Sequence, residues 1–258
     1  MSDISESKKL KFKKTFEVGY YEINKNDKAT PTSILNYLEE TAVEHSESIG
    51  YGVKRLKENG FGWVITHCCI NMERGPMWNE KITVETWTSG FNKFYATREF
   101  CIRDANENII GRATSLWIFF DIEKRRPVRI PDEITEAFGY FENDRGLDVD
   151  FRKFRPNFEL DNSKQFFVRR SDIDTNEHVN NVKYVEWMLE TIPKEAYDNY
   201  ILEGAEVLYK KETYYGETIL SSCTILNEDD DKCEFGSSIT SVDGKEKFAF
   251  ARSVWRKK

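Results

Sequence analysis

The chain has 258 residues, 39% of them hydrophobic and 14% aromatic, with a formal net charge of −7. That apolar content is enough for a substantial core and excludes global disorder. The acidic balance, with both signs mixed along the chain, excludes the broad basic surface of a non-specific nucleic-acid binder, and no apolar run approaches the ~20 residues of a membrane span.

The first residues, MSDISESKKLKFKK, pass from acidic to basic without an apolar stretch. Together with Asp3 and Glu6 this argues against a secretory signal or a transit peptide. The five cysteines are odd in number and include no C-x-x-C pair, so they read as reduced thiols of a cytoplasmic protein. A short extended segment around Phe16 and Val18 leads through a turn to a helix capped by Thr30 and started by Pro31. Ile34, Leu38, Thr41, Ala42 and His45 recur at helical spacing, and Gly50 supplies the stop.

Strands follow the helix. Cys68 and Cys69 are neighbours in one of them and point to opposite faces as structural thiols. In KITVETW, Ile82 and Val84 share a face; in ATREFCIRD, Ala96, Phe100 and Ile102 share one with Arg98. The segment DANEN at Asp104 reads as a hairpin turn, as does VDGKE at Val242 near the far end of the chain. ENDRGLDVDFRKFRPNFELDNSK, polar and broken by Gly146 and Pro156, reads as a linker across the surface. The expected division is an N-terminal domain at 1–141, a linker at 142–165 and a C-terminal domain at 166–258.

After the linker the pattern restarts. At an offset of 150 residues Phe16 meets Phe166, Val18 meets Val168, Ile23 meets Ile173 and Thr41 meets Thr191. Further along the offset shortens to 137–138, where NEKITVET faces YGETILSS and ATSLW at Ala113 faces ARSVW at Ala251. Weak matches in a fixed order indicate an internal duplication. Each copy reads as an extended segment, a turn, one amphipathic helix and several antiparallel strands, an α+β architecture whose sheet wraps around the helix. Val182, Val185, Leu189 and Ile192 form the apolar stripe of the second helix.

The second turn concentrates chemistry. In SDIDTNEHVNNVKYVEW, Asp174, Asn176 and His178 alternate, and an extended segment would project all three to one side. Asn180 and Asn181 open the helix, whose free N–H groups favour developing negative charge. A carboxylate, an amide and an imidazole beside such an oxyanion site suit attack on an acyl carbonyl. Asx-rich segments before helices are also ordinary caps. The first copy separates the two readings, because it carries Asn24, Asn26 and Lys28 at these positions and so keeps neither carboxylate nor imidazole. A second acid, Glu212 in YKKET, lies among basic and aromatic residues at the start of the C-terminal strand run.

DIDTNEHVNNVKYVEW resembles the signature of the acyl-ACP thioesterases of plant plastids and bacteria, and YKKET resembles that family's second block. The likeness spans about Phe12 to Trp255. It implies two tandem hot-dog domains, each an antiparallel sheet around a central helix. The implied activity is hydrolysis of acyl-ACP to free fatty acid and carrier protein, without metal or organic cofactor. Carried over by position, Asp174, Asn176, His178 and Glu212 are the catalytic set. Many members have Cys after the Glu; here Thr213 stands there, which argues against a thiol nucleophile.

Glu212 is then the expected base for water, with Asp174 sharing that role or attacking directly, and the Asn180–Asn181 helix start polarising the carbonyl. The N-terminal half is left to hold the acyl tail, with Ile34, Leu38 and Trp63 as candidate walls. Basic ground for the acidic carrier protein is sought at EKRRPVR, FRKFR, Lys210 and Lys211. Rival readings are an acyl-CoA thioesterase and a non-catalytic acyl-binding protein. The tandem supplies within one chain the pairing of single units, giving a monomer or a homodimer.

Overall fold

A computed structural model describes residues 11–142 and 144–258. Most of the N-terminal stretch read as leaderless, residues 1–10, lies outside the described residues. No helix among the described residues is long and apolar enough to cross a membrane.

The first half runs β1 (Phe12–Glu17), α1 (Pro31–Ser48), α2 (Val53–Glu58), β2 (Phe61–Met72), β3 (Lys81–Asn92), β4 (Tyr95–Asp104), β5 (Ile109–Asp121), β6 (Arg126–Pro127) and α3 (Asp132–Phe138). The second runs β7 (Asn162–Phe167), α4 (Asn181–Leu189), α5 (Lys194–Asn199), β8 (Tyr200–Tyr209), β9 (Thr218–Glu228), β10 (Lys232–Ser241) and β11 (Lys247–Lys257). The strands form one large antiparallel sheet in the order β1-β3-β4-β5-β2-β8-β11-β10-β9-β7, with β6 on β5. Its two halves meet where His67–Asn71 of β2 pair with Leu208–Gly204 of β8. Strand order within each half is the same, read outward from that seam.

Local signals explain the helices. Thr30 Oγ1 accepts from Ser33 N at 3.1 Å, Pro31 occupies the first turn, and Gly50 leaves the helix end at a φ of 78°. Ile34, Leu38, Thr41, Ala42 and His45 all face inward. Ile34, Leu38 and Ala42 pack on Ile82, Val84 and Phe100 of the first half. In the second half Val185 and Met188 pack on Ile219 and Ile239. The two helices touch, and Leu35 packs against both cores. α4 is the shorter helix and ends at Leu189, so Ile192 leaves the expected stripe and joins Phe235 and Trp255 in a separate cluster. All five cysteines are free and buried.

The connection between the halves is anchored on the sheet face opposite the helices. Trp87 Nε1 donates to Asp144 O (2.7 Å), and Gly146 N donates to the buried Glu99 carboxylate (3.0 Å). A Cβ at Gly146 would sit 2.7 Å from Ala113 O, so only glycine fits. Phe151 and Phe154 lie against His67, with ring centroids 4.9 and 5.7 Å away, and Phe158 covers Gly236. The segment read as linker ends sooner than expected: Asn162–Gln165 already belong to β7, which pairs with β9.

Candidate active site

The turn between the one-turn 3-10 helix Arg170–Asp172 and α4 gathers three of the expected residues. It does so by a different geometry from strand alternation. Asp174 N donates to His178 O (2.8 Å), and Ile173 bridges Val179 across the loop. Asp174 Oδ1 accepts from Asn176 N (2.8 Å) and His178 N (3.3 Å), and Oδ2 faces Asn176 Nδ2 at 3.4 Å. This is an Asx turn, in which the carboxylate substitutes for a backbone acceptor. Glu177 closes it with a φ of 65°, in the left-handed region.

The first half contains the same turn. Asn24 N donates to Lys28 O (2.8 Å), Asn24 Oδ1 accepts from Asn26 N (2.9 Å), and Asp27 has a φ of 56°. An Asn thus supports this loop as well as an Asp does. The turn alone does not require a carboxylate at 174, so its presence there is informative.

At the start of α4, Asn180 is the cap, and its Oδ1 accepts from Val182 N at 2.8 Å. Asn181 is the first helical residue, and its N–H has no partner among the described residues. Pro31 fills the corresponding place in α1 and has no N–H to offer. The second copy therefore has an open backbone donor that the first lacks.

Glu212 lies in the connection after β8, not on a strand. Val179 N donates to Thr213 O (3.1 Å), which ties that connection to the turn. Glu212 Oε1 stands 3.5 Å from His178 Nδ1, while Oε2 is 3.3 Å from Tyr214 Oη and 3.6 Å from an Arg125 guanidinium nitrogen. The expected side chains meet in two pairs, Asp174 with Asn176 and His178 with Glu212, joined through the His178 N–H on Asp174; the first pair lines the cavity described below and the second does not. Thr213 turns away: it is fully buried, its N–H donates to Tyr184 Oη, and its hydroxyl is bound to Glu217.

Beside this turn opens a cavity of about 150 Å³ that Asp174, Asn176 and Asn181 share with the first half. Its apolar wall includes Ala42, Leu56, Trp63, Phe91 and Phe138. Trp63 is thus a wall as expected. Leu38 does not line it, and Ile34 instead lines a second cavity treated below. Both are buried core positions of α1.

Three residues of the first half reach the turn that sequence reasoning did not single out as site residues. Lys57 Nζ donates to Thr175 O (3.0 Å), and Arg125 faces Glu212. Glu39 accepts from Asn180 Nδ2 at 3.4 Å; burial raises its carboxyl above the usual range, and the Asp174 and Glu40 charges add to the shift. The sequence carried one signal for Glu39, an acid in line with Leu35 and Ala42 on an otherwise inward helix face.

In the cavity wall, Arg98 is buried and lacks a carboxylate partner among the described residues. It donates to His45 Nδ1 (3.0 Å). Burial brings Arg98 down to about 10, still charged at neutral pH, and burial with the Arg98 charge pulls His45 down to about 3, so it stays neutral.

The basic segments divide by place. Lys124, Arg125 and Arg126 are exposed after β5, and Lys210 and Lys211 are exposed beside Glu212. FRKFR uses Phe151 and Phe154 as anchors over His67, on the sheet face away from the helices.

The acyl-ACP thioesterase N-terminal domain matches residues 9–138, and the acyl-ACP thioesterase C-terminal domain matches residues 157–257. The chain is 30% identical over 270 residues to a chloroplastic acyl-[acyl-carrier-protein] hydrolase of Cuphea viscosissima, covering 96% of this chain and 63% of that relative. It is 31% identical over 254 residues to a chloroplastic palmitoyl-acyl carrier protein thioesterase of Arabidopsis thaliana, covering 91% of this chain and 58% of the relative. It therefore spans less than two thirds of the length of either. Among solved structures, one from Lactobacillus plantarum described as an oleoyl thioesterase aligns with a TM-score of 0.86 at 27% identity, over 97% of this chain and 98% of the other. The 12:0-ACP thioesterase of Umbellularia californica shares the fold, with a TM-score of 0.84 at 24% identity over 96% of this chain and 94% of that one.

Proposed function

Because the chain belongs to the acyl-ACP thioesterase family, we propose that it hydrolyses acyl-ACP to free fatty acid and holo-ACP in fatty acid biosynthesis. The observation that carries this reading is the shared cavity. The polar turn of the second half presents Asp174, Asn176 and an open Asn181 N–H to an apolar wall supplied by the first half. A thioester carbonyl at the turn and an acyl tail among Trp63, Phe91 and Phe138 fit that division.

The leaving pantetheine thiol has a pKa near ~8.5, like a free cysteine, so it departs without a strong general acid. What remains to be supplied is an activated water and an oxyanion donor. Glu212 is the base, since its carboxylate is held by weak, long contacts and faces His178. Asp174 spends Oδ1 on two backbone N–H groups, a duty that Asn24 performs equally in the first half, so its charge acts through Oδ2, which orients the Asn176 amide towards the substrate. The Asn181 N–H polarises the carbonyl, with Asn180 fixing the helix start. His178 and Asn176 position water and substrate. The hydroxyl of Thr213, bound away to Glu217, takes no part.

The same reading makes each half a hot-dog unit, residues 1–141 for the acyl tail and 166–258 for the catalytic residues. The two already pair through β2 and β8, so a single chain carries a complete site. Exposed Lys124, Arg126, Lys210 and Lys211 form the docking ground for the acidic carrier protein. Five free, buried cysteines support a cytoplasmic, reducing setting.

Thiol release from acyl-ACP, set against the matching acyl-CoA and repeated with Glu212→Gln, tests the proposal. Turnover that prefers the carrier-protein substrate and falls by ~100-fold or more in the variant is expected. Preference for CoA would replace the partner and keep the chemistry. No release from either would make the chain an acyl-binding protein and end the proposal.

A further inference from the structure

The turn of the first half also opens onto a cavity. Asn24, Asn26 and Lys28 stand there in place of Asp174, Asn176 and His178. Gly75 stands in place of Glu212, because Ala29 N donates to Pro76 O (2.9 Å) as Val179 N does to Thr213 O (3.1 Å). The wall facing the turn comes from the second half, with Tyr197 of α5, Ile201, Leu202 and Val207 of β8, and Trp255 of β11, while Ile34, Ile70 and Met72 of the first half add to the lining. The arrangement is the pseudo-symmetric counterpart of the active site, in which a turn of one half faces the α2–β2 or α5–β8 region of the other. At about 360 Å³ against about 150 Å³, it is the larger of the two cavities.

Every reactive element is gone from this copy. No carboxylate or imidazole remains at the positions of Asp174, Asn176, His178 and Glu212, Asp27 of the turn does not line the cavity, and Pro31 removes the backbone donor. The charge at the mouth is reversed as well. Lys25, Lys28 and Lys258 line it, and the single acid among the lining residues, Glu203, pairs with Lys232 at 2.6 Å. Lys25 is held by Asp198, whereas Lys28 has no carboxylate partner among the described residues. Exposed Tyr20, Met77 and Trp78 flank the same turn, where Lys28 bridges Met77 and Trp78 N donates to Asp27 O (2.9 Å).

An apolar cavity with a free ammonium and two amides at its mouth fits a single-chain amphiphile with an anionic head. We propose that it is a non-catalytic site for a free long-chain fatty acid, with the carboxylate at Lys28 and the tail along β8. The choice of an acyl ligand rests on the function proposed above; the second cavity, its charge and its lack of reactive groups do not.

The test is equilibrium binding of myristate to the full chain by titration calorimetry, with acyl-ACP hydrolysis by the wild type measured alongside. Lys28→Glu reverses the charge at the mouth. Ile201→Trp fills the cavity from β8 without altering the turn, so a folding defect in one variant leaves the other informative. Wild-type protein is expected to bind one equivalent more than either variant, or to bind that equivalent at least ~10-fold more tightly than Lys28→Glu does. Methyl myristate is expected to lose the same equivalent. Equal stoichiometry and affinity in all three proteins, or equal binding of the ester, would overturn the site while leaving hydrolysis untouched. Displacement of the extra myristate by myristoyl-ACP would make it a second substrate site and overturn the assignment to the free acid. Loss of hydrolysis with the extra equivalent retained would remove the proposed function and uphold this one.

Discussion

His45 and Arg98 set a pH dependence that can be signed in advance. His45 is held near 3 when folded, against about 6.5 for an ordinary histidine, because it is buried beside a guanidinium. Its contribution to stability is fully present above about pH 6.5 and is lost as pH falls from there towards 3. Urea midpoints measured between pH 7 and pH 5 are therefore expected to fall, and His45→Gln is expected to flatten the slope. An equal slope in the variant would assign the effect elsewhere. At this scale the sequence singled out Asp174, Asn176, His178 and Glu212 as candidates, because they sit in two short motifs. It did not single out Glu39 and Lys57, and it offered Arg125 only within the basic ground for the carrier; these residues meet Asn180, Thr175 and Glu212 only through contacts between the halves. A charged residue on a helix or in a turn looks the same in sequence whether it faces water or a distant loop.

Among the elements, the connection between the halves is the part whose packing the sequence disguised. Its polar composition hides its anchors, the Asp144 carbonyl on Trp87, the Gly146 N–H on Glu99, the Phe151–Phe154 pair over His67, and Phe158 over Gly236. Gly146→Val should cost about 1–3 kcal/mol, since its side chain would meet the Ala113 and Phe100 carbonyls. Denaturant unfolding checks this, and an unchanged midpoint would mean that the strap is dispensable. The repeat, by contrast, was legible in outline. β1 and β7, and the starts of α1 and α4, keep the 150-residue offset, while β3 and β9 keep 137. The turn of the candidate site was misread as extended because alternation at period two is shared by a strand and by an Asx turn whose first residue accepts from the second and fourth that follow. Only the hydrogen bonds of the folded chain separate them.

At the level of the whole molecule, the two copies of the duplication differ in what they present. One interface of turn and wall keeps the carboxylates and the open N–H. The other keeps room and cationic charge. Docking of an acidic carrier on Lys124, Arg126, Lys210 and Lys211 makes a further prediction for a chain of net charge −7. Raising salt should depress kcat/KM for acyl-ACP several-fold while leaving small acyl thioesters nearly unaffected, because exposed charges are screened within about 8–10 Å. Equal responses would remove the electrostatic docking.

Asp174→Asn offers the most direct measurement of the central claim. Asn24 supports the same turn in the first half, with its own Oδ1 accepting from Asn26 N at 2.9 Å, so this substitution keeps the loop and removes only the charge. Thiol release from acyl-ACP should fall by ~100-fold or more while the unfolding midpoint stays close to wild type. A folded Asp174→Asn protein with wild-type turnover would contradict the account, by showing that the carboxylate serves the turn and not the reaction.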